Sequence, residues 1–328
     1  MLSQALKLFT SASIIGALIL WANVALSQAD YPNRPVVVVI PTEGAGIGED
    51  VRVLTQSIER NNPGSSYVID RRAGATHTIG ATYVFRAKPD GYTLLAGNTS
   101  FTIAPAAYPD LPYDVAKDFS PVTLLTQKAY VLAVHHALPF KTVKEYIAYT
   151  RFNPADLNFS TSGQGSSTHL PGAMLHYMTK SKVTFVHYKR SSERITDLVA
   201  GRVGAAVGTY ATLLGHFKSG RLRPLAVTTN RRISSAPELP TIGETVPGFE
   251  YSSWTGVLAP PRTSSGLVGQ INKVWTGALN DPIVSKKLEA DGTIVVASSP
   301  QDFQKFISDD SARWKRLMKE TGIQIADE

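Results

Sequence analysis

The chain contains no cysteine. That absence excludes disulfides, thiolate zinc sites, iron–sulfur clusters, a cysteine nucleophile and a lipoprotein anchor. At 328 residues the chain is large enough for its apolar core to hold it without cross-links. Beyond Ala29 no stretch is long and apolar enough to span a bilayer. There is no G-x-S-x-G elbow, and none of the 7 histidines stands in an HExxH pair. An exported α/β enzyme such as a hydrolase is the alternative to weigh, and no motif supports it. Lys and Arg exceed Asp and Glu by 7, but the basic residues are scattered and not interleaved with aromatics, so nucleic acid is not expected as a partner. The excess favours anionic solutes mildly.

Residues 1–29 carry one early charge, Lys7, an apolar run from about Leu8 to Trp21, and small residues at Ala25-Leu-Ser27 or Ser27-Gln-Ala29. This pattern predicts a secretory signal peptide and a periplasmic location.

The most informative stretch is Val36 to Asp50, VVVVIPTEGAGIGED. It reads as a buried strand, a glycine-rich turn and the opening of a helix. Backbone N–H groups and the positive end of a helix dipole then meet at one spot, which suits an anion. A second unit of this kind, LNFSTSGQGSSTHLPGAML, begins at Leu157. Its hydroxyls are Ser160, Thr161, Ser162, Ser166, Ser167 and Thr168, and its helix is expected to start near Ser167. A third polar turn, Gly97-Asn98-Thr99-Ser100, follows the strand expected at Tyr92–Ala96. Loops at the carboxyl ends of strands line the ligand crevice in open α/β sheets.

Strand and helix patterns alternate through the chain. Strands are expected at 67–70, 130–134, 157–161, 183–187, 203–207, 222–228 and 254–259. Helices are expected at 79–88, after the capping box Thr142-x-x-Glu145, at 192–200, and after Pro261, Pro282 and Pro300. The class is α/β with mostly parallel strands. No Pro-, Gly- and Ser-rich linker divides the chain. A two-lobed protein whose chain crosses between lobes more than once is compatible with that.

The opening loop also mimics a dinucleotide site: Gly44-x-Gly46-x-Gly48 follows a strand, and Asp70 ends the next one. The fingerprint fails at Glu49, and an exported protein meets little NAD. No cofactor and no metal are expected.

Taken in order, the motifs resemble those of the extracytoplasmic solute receptors of tripartite tricarboxylate transporters, the Bug or TctC family. They run from Tyr31-Pro32-x-x-Pro35 through Asp70-x-Arg72-x-Gly74 and Pro89-Asp90-Gly91-Tyr92-Thr93-Leu94-Leu95-x-Gly97 to Leu111-Pro112-Tyr113-Asp114. The Ser160–Leu170 loop, Tyr188-Lys189, Leu225-Ala226-Val227-Thr228, Pro247-Gly248-Phe249 and Ser253-Trp254-x-Gly256 follow. The resemblance covers nearly all of the mature chain.

It implies a two-lobed periplasmic-binding-protein clamshell (type II, Venus-flytrap) that closes on a small carboxylate without catalysis. The ligand would be a di- or tricarboxylate or an aromatic acid. The partners would be integral membrane subunits of a transporter, although a receptor acting in signalling is an alternative. A monomer is expected. Lobe 1 would comprise 30–127 and 253–328, and lobe 2 would comprise 128–252.

Carried over position by position, the expected ligand contacts are Thr42, Gly44, Gly46, Asn98, Thr99, Ser162, Gly163, Gly165, Ser166, Ser167, Thr168, Tyr210 and Arg190. The chain departs from the family pattern at Thr42, Glu43 and Arg190. It departs again at Gly208-Thr209-Tyr210, where relatives often carry an Asp and amino-acid binders use it to hold the amine. An amino-acid ligand is therefore disfavoured.

Overall fold

A computed structural model describes residues 31–323 apart from 43–44, 75–76, 109 and 154–155. The expected signal peptide, Glu43 and Gly44 lie outside the described residues.

The chain builds two sheets. The first begins with β1 (Val36–Ile40), β2 (Tyr67–Arg71) and β3 (Thr93–Asn98), which pair in parallel. Helices α1 (Ala45–Asn61), α2 (Thr78–Phe85) and α3 (Thr99–Ala107) follow these strands in turn. Strand β4 (Ser120–Lys128) then ends the first pass. One residue later β5 (Tyr130–His135) opens the second sheet.

That sheet continues through α4 (Val143–Phe152), β6 (Asn158–Thr161), α5 (Leu170–Thr179) and β7 (Thr184–His187). It closes with α6 (Ser191–Val199), β8 (Ala205–Thr209), α7 (Tyr210–Lys218) and β9 (Leu222–Val227). The chain returns to the first sheet at β10 (Ser253–Ala259). Helices α8 (Ser265–Leu279) and α9 (Pro282–Ala290), strand β11 (Thr293–Val295) and helix α10 (Pro300–Thr321) complete it. The strand orders are β11-β4-β10-β3-β1-β2 and β7-β6-β8-β5-β9.

The expectation of mostly parallel strands needs correction. Parallel pairing holds for β1 with β2 and β3, and for β6 with β7 and β8. Strands β4, β10 and β11 pair antiparallel, as does β5 with both β8 and β9. A strand that enters a sheet from the other one need not make the helical crossover that keeps successive strands parallel.

Strands β4 and β11 and helices α3 and α7 were not foreseen. Helix α3 carries Pro105 inside it, a residue that normally breaks helices. Tertiary contacts hold it: Phe101 and Ile103 are buried, and the Thr102 hydroxyl donates to Asp310 at 2.5 Å. Pro282 and Pro300 do stand in the first turns of their helices, and Thr142 with Glu145 forms a complete capping box. His135 ends β5 and His136 follows it, at the end of the strand away from the crossover.

Separate apolar clusters cover the two faces of the first sheet. One contains Leu54, Trp275 and Leu288; the other contains Phe101, Trp254 and Phe303. The second sheet buries Tyr146, Phe159, Leu175 and Tyr251 on one face and Leu198, Leu213 and Leu222 on the other. Helix α10 serves both sheets. Its Phe303 and Ile307 pack in the first, and Trp314, Leu317 and Met318 pack in the second.

Candidate functional site

The direct crossover Lys128-Ala129-Tyr130 and the return at Ser253-Trp254-Thr255 form one wall of a cleft of about 370 Å³. Its other lining residues come from both sheets: Thr42, Ile47 and Asn98 from the first pass, Thr209 and Ala211 from the second sheet, and Asp291 and Thr293 after α9. Thr42, Asn98 and Thr209 stand at the carboxyl ends of β1, β3 and β8. They are also where α1, α3 and α7 begin. Three helix N-termini from two sheets thus open on one polar space, each presenting N–H groups and a partial positive charge. A larger hollow of about 660 Å³, lined by Arg34, Tyr83 and Tyr92, opens instead at the amino ends of β1 and β3.

The local chemistry explains how the lining is held. Asn98 caps α3, its Oδ1 accepting from the Ser100 N–H at 3.2 Å and facing His77 Nδ1 at 2.9 Å. Thr209 caps α7 through the Thr212 N–H at 3.4 Å. The Thr42 carbonyl accepts from the Arg71 guanidinium at 3.0 Å.

Lys128 projects into the cleft with its ammonium 2.9 Å from buried Asp50, on α1. The Asp50 carboxylate also accepts from Thr255 at 3.2 Å and Thr126 at 3.4 Å. Burial raises the Asp50 carboxyl above its ordinary value, and the charge and hydrogen bond of Lys128 oppose that.

The expected contacts divide. Thr42 and Asn98 line the cleft. Gly46 belongs to the first turn of α1. Thr99 faces inward: its hydroxyl donates to the Ser252 carbonyl at 3.4 Å and accepts from the Trp254 N–H at 3.2 Å. Tyr210 is buried, its phenol directed to the Ser235 carbonyl at 3.3 Å, while its neighbours Thr209 and Ala211 line the cleft. Arg190 stands on the surface, 77% exposed, and pairs with Glu193 at 3.5 Å.

The Ser162–Thr168 loop ties itself together. The Thr168 hydroxyl accepts from the Ser162 N–H at 2.8 Å and lies 3.1 Å from the Ser166 hydroxyl, and Gly165 donates to His169 Nδ1 at 3.0 Å. Gly163 and Gly165 adopt positive φ of 126° and 75°, conformations that glycine takes without strain. Helix α5 starts at Leu170 and not near Ser167, because 167–169 form a turn. The loop does not line the 370 Å³ cleft. Ser167 lies close to the phenol of Tyr130, which does line it. Burial raises that phenol, and Ser167, Ser253 and the charge of Arg194 counteract the shift.

Sequence reasoning missed Lys128 and Arg194. Nothing in a strand ending in Gln-Lys or a helix reading SSERITDLV marks either cation as facing inward. Arg194 is 3% exposed. One guanidinium nitrogen donates to the Val207 carbonyl at 3.1 Å, and Nε has no partner. Among the described residues no group of three or more His, Asp and Glu could hold a metal, and no helix is long and apolar enough to cross a membrane.

Two α/β sheets joined by strand crossovers, with a polar cleft at the junction, define a two-lobed solute-binding protein of the periplasmic type. Residues 51–323 match the family described as "Tripartite tricarboxylate transporter family receptor", and the chain belongs to that family. It is 30% identical to Protein BugT of Bordetella pertussis over 319 residues, 95% of this chain and 98% of that one. An R. palustris protein solved with adipate is 34% identical, with a TM-score of 0.72, 90% of this chain and 99% of that one being covered. MatC from Rhodopseudomonas palustris, solved with bound malate, is 28% identical with a TM-score of 0.68, over 88% and 99%.

Proposed function

We propose that this protein is a periplasmic receptor that captures a small carboxylate in the cleft and delivers it to integral membrane subunits of a tripartite transporter. The observation that carries the reading is the convergence of the N-termini of α1, α3 and α7 on one polar space. Backbone N–H groups bonded to a charged oxygen contribute about 1.5–3 kcal/mol each. The two similar proteins solved with adipate and with malate support a carboxylate as the ligand.

Thr42, Asn98, Thr209 and Ser253 are the polar contacts of this reading, with the Ser162–Thr168 loop joining through Ser167 and Tyr130 as the lobes close. The lobes are 30–127 with 253–328, and 128–252; residues 1–29 direct export. The protein acts as a monomer by binding and release, without catalysis.

A thermal-shift screen of mono-, di- and tricarboxylates, aromatic acids and amino acids tests the reading. A true ligand at a hundredfold excess over its dissociation constant should add about 2.7 kcal/mol of stability. Stabilisation by sugars or metal ions, with none by any carboxylate, would refute it.

A further inference from the structure

Arg194 is a cation without an anion. It sits on α6, and among the described residues no carboxylate pairs with it. Among the described residues its guanidinium donates to the Val207 carbonyl at 3.1 Å, and its buried Nε has no hydrogen-bond partner. A buried charge left uncompensated is strongly unfavourable, so natural chains seldom keep one unless something else neutralises it.

The position of Arg194 indicates what that is. Val207 and Gly208 directly precede Thr209, the last residue of β8, which lines the cleft. The guanidinium lies in the field of Tyr130, which also lines the cleft. A Cβ at Gly208 would stand 3.5 Å from Arg194 Nη2, behind Leu213 Cδ1 at 3.0 Å and Cγ at 3.2 Å, so the guanidinium reaches the end of β8.

Resting on the carboxylate reading of the cleft, we infer that Arg194 is its specificity-determining cation: it grips a ligand carboxylate beside which the ligand carries no ammonium group. Two parallel N–H···O bonds from the guanidinium fit a carboxylate and cannot be made to an amine. An ammonium beside that carboxylate would face a buried like charge. The acids preferred are therefore unsubstituted or hydroxylated, and amino acids of the same skeleton are rejected.

Isothermal titration and thermal shift on the full mature chain, with wild type, Arg194→Met and Arg194→Lys, test this. The probes are succinate, malate, glutarate, adipate, citrate, benzoate, aspartate, glutamate and sodium sulfate. Wild type should bind its best acid at least about tenfold tighter than the matching amino acid. Arg194→Met should weaken that acid about thirtyfold or more, with an unliganded melting temperature equal to or above wild type. Arg194→Lys should bind about tenfold more weakly, because one ammonium cannot replace the fork.

Affinity in Arg194→Met within about threefold of wild type overturns the inference and leaves the carboxylate reading standing. Should the Met variant fail to fold, wild-type affinity in Arg194→Lys overturns it equally. If wild type takes only sulfate and Arg194→Met loses it, the carboxylate reading fails and Arg194 remains the anion holder. Preference of wild type for aspartate or glutamate over succinate or glutarate overturns the ammonium rule. Binding of none of these probes by wild type overturns both.

Discussion

Asp50 and Lys128 form a 2.9 Å ion pair that joins helix α1 of the first sheet to the last residue before the chain crosses to the second. The carboxylate is buried and Lys128 lines the cleft. One pair thus helps fix the crossover beside the site.

Lys128→Met leaves a buried carboxylate without its cation. The expected cost is about 3 kcal/mol at pH 7, at the low end for a broken buried pair because the ammonium is partly solvated. Burial raises the Asp50 carboxyl, so the folded state takes up its proton at higher pH than the unfolded chain. The penalty is then smallest at acid pH and grows as pH rises through the folded value. Urea denaturation at pH 5 and pH 8 should show the larger loss at pH 8; an equal loss at both would contradict this.

His169 and His176 are buried, and burial lowers each to about 4. For His169 the charge of His187 adds to the effect. Both are neutral in the folded protein, whereas the unfolded chain binds protons near pH 6.5. Their contribution is therefore fully present above about pH 6.5 and is lost as pH falls towards 4. For His176 alone the full loss is about 3 kcal/mol. His176 is bound by Tyr146 at 3.0 Å and Ser181 at 2.7 Å. His176→Gln should lower stability at pH 7.5 and flatten the slope between pH 6.5 and 4.5 in chemical denaturation.

A Cβ at Gly256 would lie 2.3 Å from the ring of Phe303, which is fully buried between β10 and α10. The ring has no room to retreat. Gly256→Ala should destabilise by about 1–3 kcal/mol, read as a lower urea midpoint at unchanged slope.

Trp314 is fully buried and meets Tyr251 edge-to-face at 5.8 Å. It lies on the part of α10 that serves the second sheet. Trp314→Ala should cost about 3–5 kcal/mol. Because α10 begins in the first sheet, the loss should appear as one shared transition by tryptophan fluorescence and far-UV circular dichroism. Two separated transitions would show that the helix does not couple the sheets.

Much of the framework was legible from local pattern. The apolar run VVVVI could only be a buried strand, and the glycines after it marked a close turn. Thr142 with Glu145, Pro282 and Pro300 announced helix starts through capping chemistry that involves only near neighbours. The places of Thr42 and Asn98 in the fold were legible because Asn98 ends one strand and Thr42 stands just past another. The start of α5 was misjudged by three residues because hydrogen bonds among Ser162, Ser166 and Thr168 compete with helical ones. Arg190 and Arg194, four residues apart, could not be told apart by type; only packing against β8 put Arg194 inside and left Arg190 in solvent.

The sequence by itself determined the family, the α/β class and the loops that end strands in hydroxyls and glycine, since those features are written within a dozen residues of one another. Tertiary structure alone decided which strands run antiparallel and that α10 spans both sheets. It alone set Lys128 beside Asp50, 78 residues away, and buried Arg194 near the cleft. Those outcomes depend on contacts between distant segments, and no local periodicity records which segment a side chain will meet.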